Sequence, residues 1–372
     1  MAKIVKLNVN NQNPIQICIV SDQLAVGGAE KVSALLSIFF EKKGIKVQHV
    51  IVVDKVEYDF LGQLLNLGKL KNKSNGVFNK LKRFWVLYRF LRNNNFNYII
   101  DTRVRNNLIQ EYIVSKYVYN APLIIIVHSY MTNMYFPKNN FFTQKIISHC
   151  YKIIGVSDAI YKKLKSEFTG INFEKINNPV EIALSVNETT QKQFDFKFIL
   201  AVGRMNEPVK QFDKLILCYA KSILPENGIK LVLLGDGILK YELELLCSKL
   251  GVEKNVLFYG QVANVNLFYK NAMFTVLSSK NEGFPNVLIE SLACDTPVVS
   301  FDCESGPNEI IQHRLNGLLI ENQNEEKLTE AMNEFFLDKE FYKYCKQNAK
   351  SSVEVFSIEN IGQEWLKMMK LE

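Results

Sequence analysis

The sequence predicts an α/β protein made of two wound parallel sheets, and three observations carry that prediction. Apolar runs of five to seven residues alternate with segments of 3.6-residue period, the pattern of βαβ units. The alternation occurs twice, with a polar, weakly periodic stretch between the two series. The charge also changes sign across that stretch: residues 1 to 190 hold 25 basic and 13 acidic side chains and the remainder 20 and 25, so the halves carry +12 and −5 of the total +7. Such asymmetry suits two domains, the first meeting an anionic partner.

The elements follow in order. IQICIVS (15 to 21) reads as a first buried strand, and the next helix places Val32, Leu35, Leu36, Phe39 and Phe40 on one stripe before Gly44 stops it. IKVQHVIVV, FNYIID, LIIIVH and KIIGVS continue the first sheet. FILAVGR (198 to 204) opens the second, followed by KLVLLG, VLFYG, FTVLSS and TPVVSF. The expected organisation is a first domain over 1–178, a connection over 179–196, a second domain over 197–355 and a C-terminal helix over 356–372 that crosses back to the first domain.

Composition narrows the class. With 372 residues, 48% hydrophobic and 22% charged, the chain can bury a sizeable core. Its start has no apolar h-region, and no apolar run reaches the roughly 18 residues that span a bilayer, so neither a signal peptide nor a membrane helix is expected. Seven scattered cysteines without a C-x-x-C pair argue against disulfides or a zinc cage and for the reducing cytosol. G-x-S-x-G and P-loop motifs are absent. Gly235-Asp236-Gly237 follows a strand like the start of a dinucleotide fingerprint, but Lys240 stands where a third glycine belongs, which disfavours a dehydrogenase. Without a D-x-D triplet or clustered His and carboxylates, no metal and no cofactor is expected.

Four segments carry candidate chemistry. In NEGFPNVLIESL, Glu282 sits on a loop beyond a strand's carboxyl end, where open α/β sheets bind ligands, and Glu290 lies eight residues on, inside a helix that starts near Pro285. The amides of Asn286 and Val287 then face an anion at the helix start, after Gly283 and Phe284. A solvated loop carboxylate and an exposed helical one satisfy the same spacing equally well. In GRMNEPVKQF, Arg204 follows a buried strand and Lys210 enters the next helix, a pair of cations suited to a diphosphate. Gly27 and Gly28 follow the first strand, where a ligand phosphate or a tight turn capped by Glu30 would each require them. His128 closes the run LIIIV and is expected at the strand's carboxyl edge, facing a cleft between the domains.

Together these segments, with EGFPNVLIESLACDTPVV the sharpest, resemble glycosyltransferase family 4, whose members are retaining enzymes of the GT-B fold. The resemblance covers nearly the whole chain and is stronger in its second half. It implies two Rossmann-like domains facing a cleft, the second holding a nucleotide sugar and the first an acceptor. Glu282 would grip hydroxyls of the donor sugar, Glu290 the ribose, and Arg204 and Lys210 the diphosphate. Gly28 would close over the phosphates, His128 would lie beside the sugar, and the backbone at Val262 would read the base. Glu282, His128, Arg204 and Lys210 are the catalytic candidates, and Arg103 and Arg105 the acceptor-binding ones. The family spaces its Arg and Lys five apart; here the spacing is six.

The reaction so implied moves a hexose-type sugar, with UDP-sugar the expected donor, to a growing surface glycan: lipopolysaccharide, capsule or a lipid-linked oligosaccharide. Competing readings are an epimerase or phosphorylase on the same fold, or a non-catalytic partner subunit. The stretch 69 to 105 carries ten Lys or Arg against Asp101 alone, and Phe78, Leu81, Trp85, Tyr88 and Leu91 recur in it at helical spacing. Docking on an anionic membrane surface fits that pattern and a peripheral place at the inner face of the cytoplasmic membrane. A domain helix whose apolar stripe packs on its own sheet fits it as well. Nucleic acid is not an expected partner, because no RNA or DNA module surrounds the stretch.

Overall fold

The computed structural model describes residues 14–72, 76–105, 107–138, 140–169, 172–182 and 194–372. The start of the chain, Lys73 in the basic stretch and most of the connection expected over 179–196 lie outside the described residues. The chain forms two compact units: the described residues of Met1–Pro179 with Ile361–Glu372, and Val180–Asn360.

The first unit is a seven-stranded sheet of β1 (Gln16–Ser21), β2 (Lys46–Ile51), β3 (Gln63–Asn66), β4 (Tyr98–Asp101), β5 (Leu123–Val127), β6 (Cys150–Gly155) and β7 (Phe173–Lys175). All neighbours pair in parallel, in the order β3-β2-β1-β4-β5-β6-β7. Its helices are α1 (Gly28–Lys42), α2 (Val77–Arg92), α3 (Leu108–Ile113), α4 (Phe141–His149) and α5 (Asp158–Glu167). Both faces of the sheet are covered, so β1 and β5 read as continuous apolar runs rather than alternating ones. The stripe of α1 is buried as its period requires, with Phe40 fully enclosed.

The second unit repeats the plan with six parallel strands: β8 (Phe198–Val202), β9 (Lys230–Leu234), β10 (Val256–Gly260), β11 (Thr275–Leu277), β12 (Val298–Phe301) and β13 (Gly317–Ile320), ordered β10-β9-β8-β11-β12-β13. Helices α6 (Phe212–Lys221), α7 (Lys240–Lys249), α8 (Val265–Asn271), α9 (Asn286–Ala293), α10 (Pro307–Ile310), α11 (Glu325–Leu337) and α12 (Lys339–Ala349) connect and flank them. The final helix, α13 (Ile358–Met369), ends against the first sheet: Tyr98 donates its hydroxyl to the Met369 carbonyl at 2.6 Å, and Gly362 lies against the Phe39 ring. Each sheet reverses its winding direction once, between β1 and β4 and between β8 and β11, and such reversals open a crevice at the strands' carboxyl ends.

At the second reversal the Gly-Asp-Gly turn has a structural duty. A Cβ at Gly235, whose φ is +122°, would fall 1.9 Å from the Gly203 carbonyl oxygen, and one at Gly237 would fall 2.2 Å from the Met205 backbone. The Met205 amide donates to the Asp236 carbonyl and the Leu239 amide to the Met205 carbonyl, each at 2.9 Å. The turn after β9 therefore clasps the loop after β8 backbone to backbone, which fixes where Arg204 leaves its strand. Gly251 also has positive φ, +71°, but open space around it. Gly235→Ala should thus reduce unfolding free energy by about 1–3 kcal/mol more than Gly251→Ala, because it adds a backbone collision and its φ lies further outside the left-handed region that other residues can enter. Urea denaturation of the two variants measures the difference.

Candidate active site

The loops after β8 and β11 meet at the reversal of the second sheet. Residues Pro208–Lys210 form a 3₁₀ turn, and Gln211 follows in the left-handed region at φ 49°. That turn is strapped to the β11 loop by the Lys280 amide, which donates to the Val209 carbonyl at 2.8 Å, and by the Ser278 hydroxyl, which donates to the Lys210 carbonyl at 2.8 Å. The result is an ion pair between Lys210 Nζ and Glu282 Oε1 at 2.6 Å, with only 22% and 12% of the two side chains exposed. The six-residue spacing of Arg204 and Lys210 is thus absorbed by the turn, and Lys210 joins Glu282 directly.

Glu282 is braced from behind. Its amide donates to the Glu304 carbonyl at 3.1 Å, and the Ser305 hydroxyl donates to the Gly283 carbonyl at 2.6 Å. Phe284, 4% exposed, packs edge-on against Phe356 with ring centres 5.1 Å apart, so its side chain anchors the loop in the core. Pro285 caps α9, whose first residues, Asn286 and Val287, are half-buried, while Leu288, Ile289 and Leu292 pin the helix to the sheet. Glu290 accepts the Tyr269 hydroxyl at 3.0 Å. Val262 packs on the apolar cluster of Phe268 and Tyr269 beyond β10. Arg204 points into solvent, and no carboxylate among the described residues pairs with it. Ser278, Ser305 and Tyr269 are supporting residues that sequence spacing did not single out. Their only signal is position: each stands next to a site loop or on the helix beside α9.

In the first unit, Gly27 precedes α1 with φ 152° and donates its amide to the Tyr58 hydroxyl at 3.1 Å, and Gly28 is the first helical residue. His128 follows β5 directly. Both of its ring nitrogens are buried without a hydrogen-bond partner, and burial pulls its pKa down to about 3, so the imidazole is neutral in the physiological range. Its amide donates to the Tyr135 hydroxyl at 3.3 Å.

Arg103 and Arg105, the expected acceptor-binding residues, are turned inward onto a buried carboxylate. Asp101, the last residue of β4, is fully buried, and Arg103 grips it with Nε–Oδ1 and Nη2–Oδ2 distances of 3.1 and 2.8 Å. Arg105 Nη2 stands 3.4 Å from the same carboxylate and Tyr119 donates its hydroxyl to it at 3.0 Å, while Arg103 also reaches Glu111 at 3.1 Å. Burial alone would push the Asp101 carboxyl up, but the two guanidiniums outweigh it and hold it below the usual carboxylate range. Both arginines therefore have an internal duty: they fix the loop after β4 at the reversal of the first sheet.

Among the described residues no group of three or more His, Cys, Asp or Glu side chains is arranged to hold a metal ion. The second unit offers instead Arg204 open to solvent, Lys210 held by a carboxylate, and a helix N-terminus, all at the edge where an α/β sheet receives ligands.

Comparison with known proteins gives the class: two wound parallel sheets of this kind occur in glycosyltransferases of the GT-B fold. Residues 187–352 match the model of the glycosyl transferases group 1 family. A Campylobacter jejuni protein named N-acetylgalactosamine-N,N'-diacetylbacillosaminyl-diphospho-undecaprenol 4-alpha-N-acetylgalactosaminyltransferase is 30% identical over 364 residues, covering 93% of this chain and 97% of its own. A second C. jejuni α-1,4-N-acetyl-D-galactosaminyltransferase, named for a diphospho-undecaprenol-linked substrate, is 28% identical over 79% of this chain and 80% of its own. In fold, the chain matches Staphylococcus aureus TarM, solved with Fondaparinux, alpha-GlcNAc-glycerol and UDP, with a TM-score of 0.78 at 16% identity over 95% and 99% of the two chains. The chain belongs to the group 1 glycosyltransferases, and its activity is glycosyl transfer.

The buried network around Asp101 yields a direct test. Asp101→Asn leaves Arg103 and Arg105 incompletely compensated in a dry site, and should cost about 3 kcal/mol or more of stability. Urea unfolding reads this out; a change below about 1 kcal/mol would mean that the arginines are not held by Asp101.

Proposed function

We propose that this protein transfers a hexose-type sugar, with retention of anomeric configuration, from a UDP-sugar to a hydroxyl of a lipid-linked or other surface glycan on the cytoplasmic side of the membrane. The observation that carries the reading is the Lys210–Glu282 pair beside the open Arg204 at the reversal of the second sheet. Support for the acceptor class comes from the C. jejuni relatives, named for diphospho-undecaprenol substrates, and support for UDP from the ligand of TarM. Because those relatives are named as N-acetylgalactosaminyltransferases, UDP-N-acetylhexosamines are the first donors to test within the hexose class.

The chemistry follows from charge. Breaking the anomeric C–O bond leaves negative charge on the departing diphosphate, and only groups that meet this charge lower the barrier. Arg204 contributes a planar fork of donors, Lys210 a point charge, and the start of α9 its backbone amides and the positive end of its dipole. An arriving diphosphate competes with Glu282 for Lys210, and Glu282 is then released to hold hydroxyls of the sugar. The acceptor oxygen forms the new bond to the anomeric carbon on the face the diphosphate leaves, and its proton passes to the leaving phosphate. Glu290, presented by α9 and held by Tyr269, takes the ribose, and the backbone at Val262 the base. His128, kept neutral by burial, serves the sugar as a hydrogen-bonding group rather than a charge.

The reading is tested by formation of a glycosidic product from radiolabelled UDP-sugars and an undecaprenyl diphosphate-linked or glycan acceptor. Arg204→Ala should lower kcat/KM by about 10- to 100-fold, the worth of a charge-assisted contact of 1.5–3 kcal/mol. Activity in EDTA should stay within about twofold of the untreated enzyme, since fixed cations and amides neutralise the diphosphate. Loss restored by magnesium or manganese would contradict that assignment.

A further inference from the structure

Helix α2 carries two apolar faces, and only one of them has a partner. At 100° per residue, Val86, Leu87, Phe90 and Leu91 turn toward the protein, with Leu91 fully buried. The packing expected of the whole stripe therefore holds for Leu91 alone. Phe78, Leu81, Trp85 and Tyr88 lie on the opposite side and are exposed, Phe78 by 90% and Trp85 by 55%. Lys82, Arg89 and Arg92 fall within the same arc of about 140°. No acidic residue occurs in the helix.

Two of these three cations are placed against rings. The Arg89 guanidinium lies 4.7 Å from the Trp85 ring centre and that of Arg92 lies 5.2 Å from Tyr88. Arg92 also donates to the Tyr117 carbonyl at 3.3 Å, which joins α2 to the segment after α3. There the pattern recurs: Tyr117 and Phe141 are exposed, with Lys116 and Lys145 over their rings at 4.9 and 5.3 Å.

We propose that this aromatic and basic face of the first unit docks on an anionic lipid bilayer, with the α2 rings at the level of the headgroups and the cations on lipid phosphates. Interleaved rings and cations match that interface, where aromatic side chains anchor and Lys or Arg meet anionic headgroups. A protein partner fits less well, since interface cores are depleted of charge. A symmetric second copy would bring two purely basic faces together. The proposal goes beyond glycosyl transfer and does not depend on it: it fixes where the enzyme works, not what it does.

The test uses the full-length protein and vesicles of phosphatidylcholine with or without 30% phosphatidylglycerol. Co-sedimentation should rise at least tenfold with the anionic lipid and fall at 0.5 M NaCl. Because Trp365 is buried and Trp85 is exposed, a blue shift of emission on adding anionic vesicles reports α2 directly, and Trp85→Phe should abolish the shift while binding persists. Phe78→Ser with Leu81→Ser, and separately Lys82→Glu with Arg89→Glu, should each reduce binding at least fivefold with unchanged melting temperature and unchanged turnover on a short water-soluble acceptor. Equal binding to both vesicle types, binding unaltered in both folded variants, or tighter binding to a single-stranded DNA oligonucleotide than to vesicles would overturn the proposal. If the transfer reaction itself were misassigned, turnover would be missing in the wild type while vesicle binding remained.

Discussion

The 2.6 Å ion pair between Lys210 and Glu282 is the contact on which the second unit's site depends. It joins the two loops that leave the sheet where its winding reverses, and the surrounding structure serves to hold them. The Gly-Asp-Gly clasp fixes the loop after β8, Ser278 and Lys280 tie the 3₁₀ turn to the loop after β11, and Ser305 with Phe284 holds that second loop down. A pair so mounted keeps both charges nearly desolvated yet reachable. On the proposed reading, an arriving diphosphate replaces the carboxylate at Lys210 while the loops stay in place.

The first unit solves the same geometric problem differently. At its reversal a buried carboxylate, Asp101, gathers two arginines and a tyrosine, and hydroxyls of Ser21, Ser33 and Thr102 lie within 3.1 to 3.4 Å of one another. Charges are consumed internally there, whereas the second unit leaves Arg204 to solvent. The outer face of the first unit carries the open cations instead, along α2. The +12 of the first half therefore resolves into a neutralised interior and a basic exterior.

Much of this was legible in the residues, for identifiable reasons. Doubly covered strands must be apolar throughout, so ten of the thirteen strands announce themselves as runs; β3, β7 and β13 are short strands that all lie at sheet edges, and no apolar run of five residues marks them. Glu282, Arg204 and Lys210 were readable because strand ends and helix starts have sequence marks. The contact between Lys210 and Glu282 was not, since 72 residues separate them and a 3₁₀ turn alters the apparent spacing. Arg103 and Arg105 read as acceptor-binding residues of a basic stretch, and the one sign of their internal partner was Asp101 closing the apolar strand FNYIID. Periodicity could not tell which side of α2 is covered, because both sides are apolar. Ser278 and Ser305 act through backbone carbonyls of other loops, which no local pattern encodes.

In the proposed function Glu282 holds Lys210 until donor arrives and then serves the sugar, while Glu290 serves the nucleoside. Calorimetric titration of UDP into the wild type, Glu282→Gln and Glu290→Gln, alongside turnover of each, tests it most directly. Glu282→Gln should bind UDP as tightly as the wild type or more tightly, because Lys210 is released from its partner, while kcat falls by about tenfold or more. Glu290→Gln should raise the UDP dissociation constant by about tenfold, the loss of one hydrogen bond to a charged group. An equal loss of UDP affinity in both variants, or none in either, would contradict the assignment of the two carboxylates.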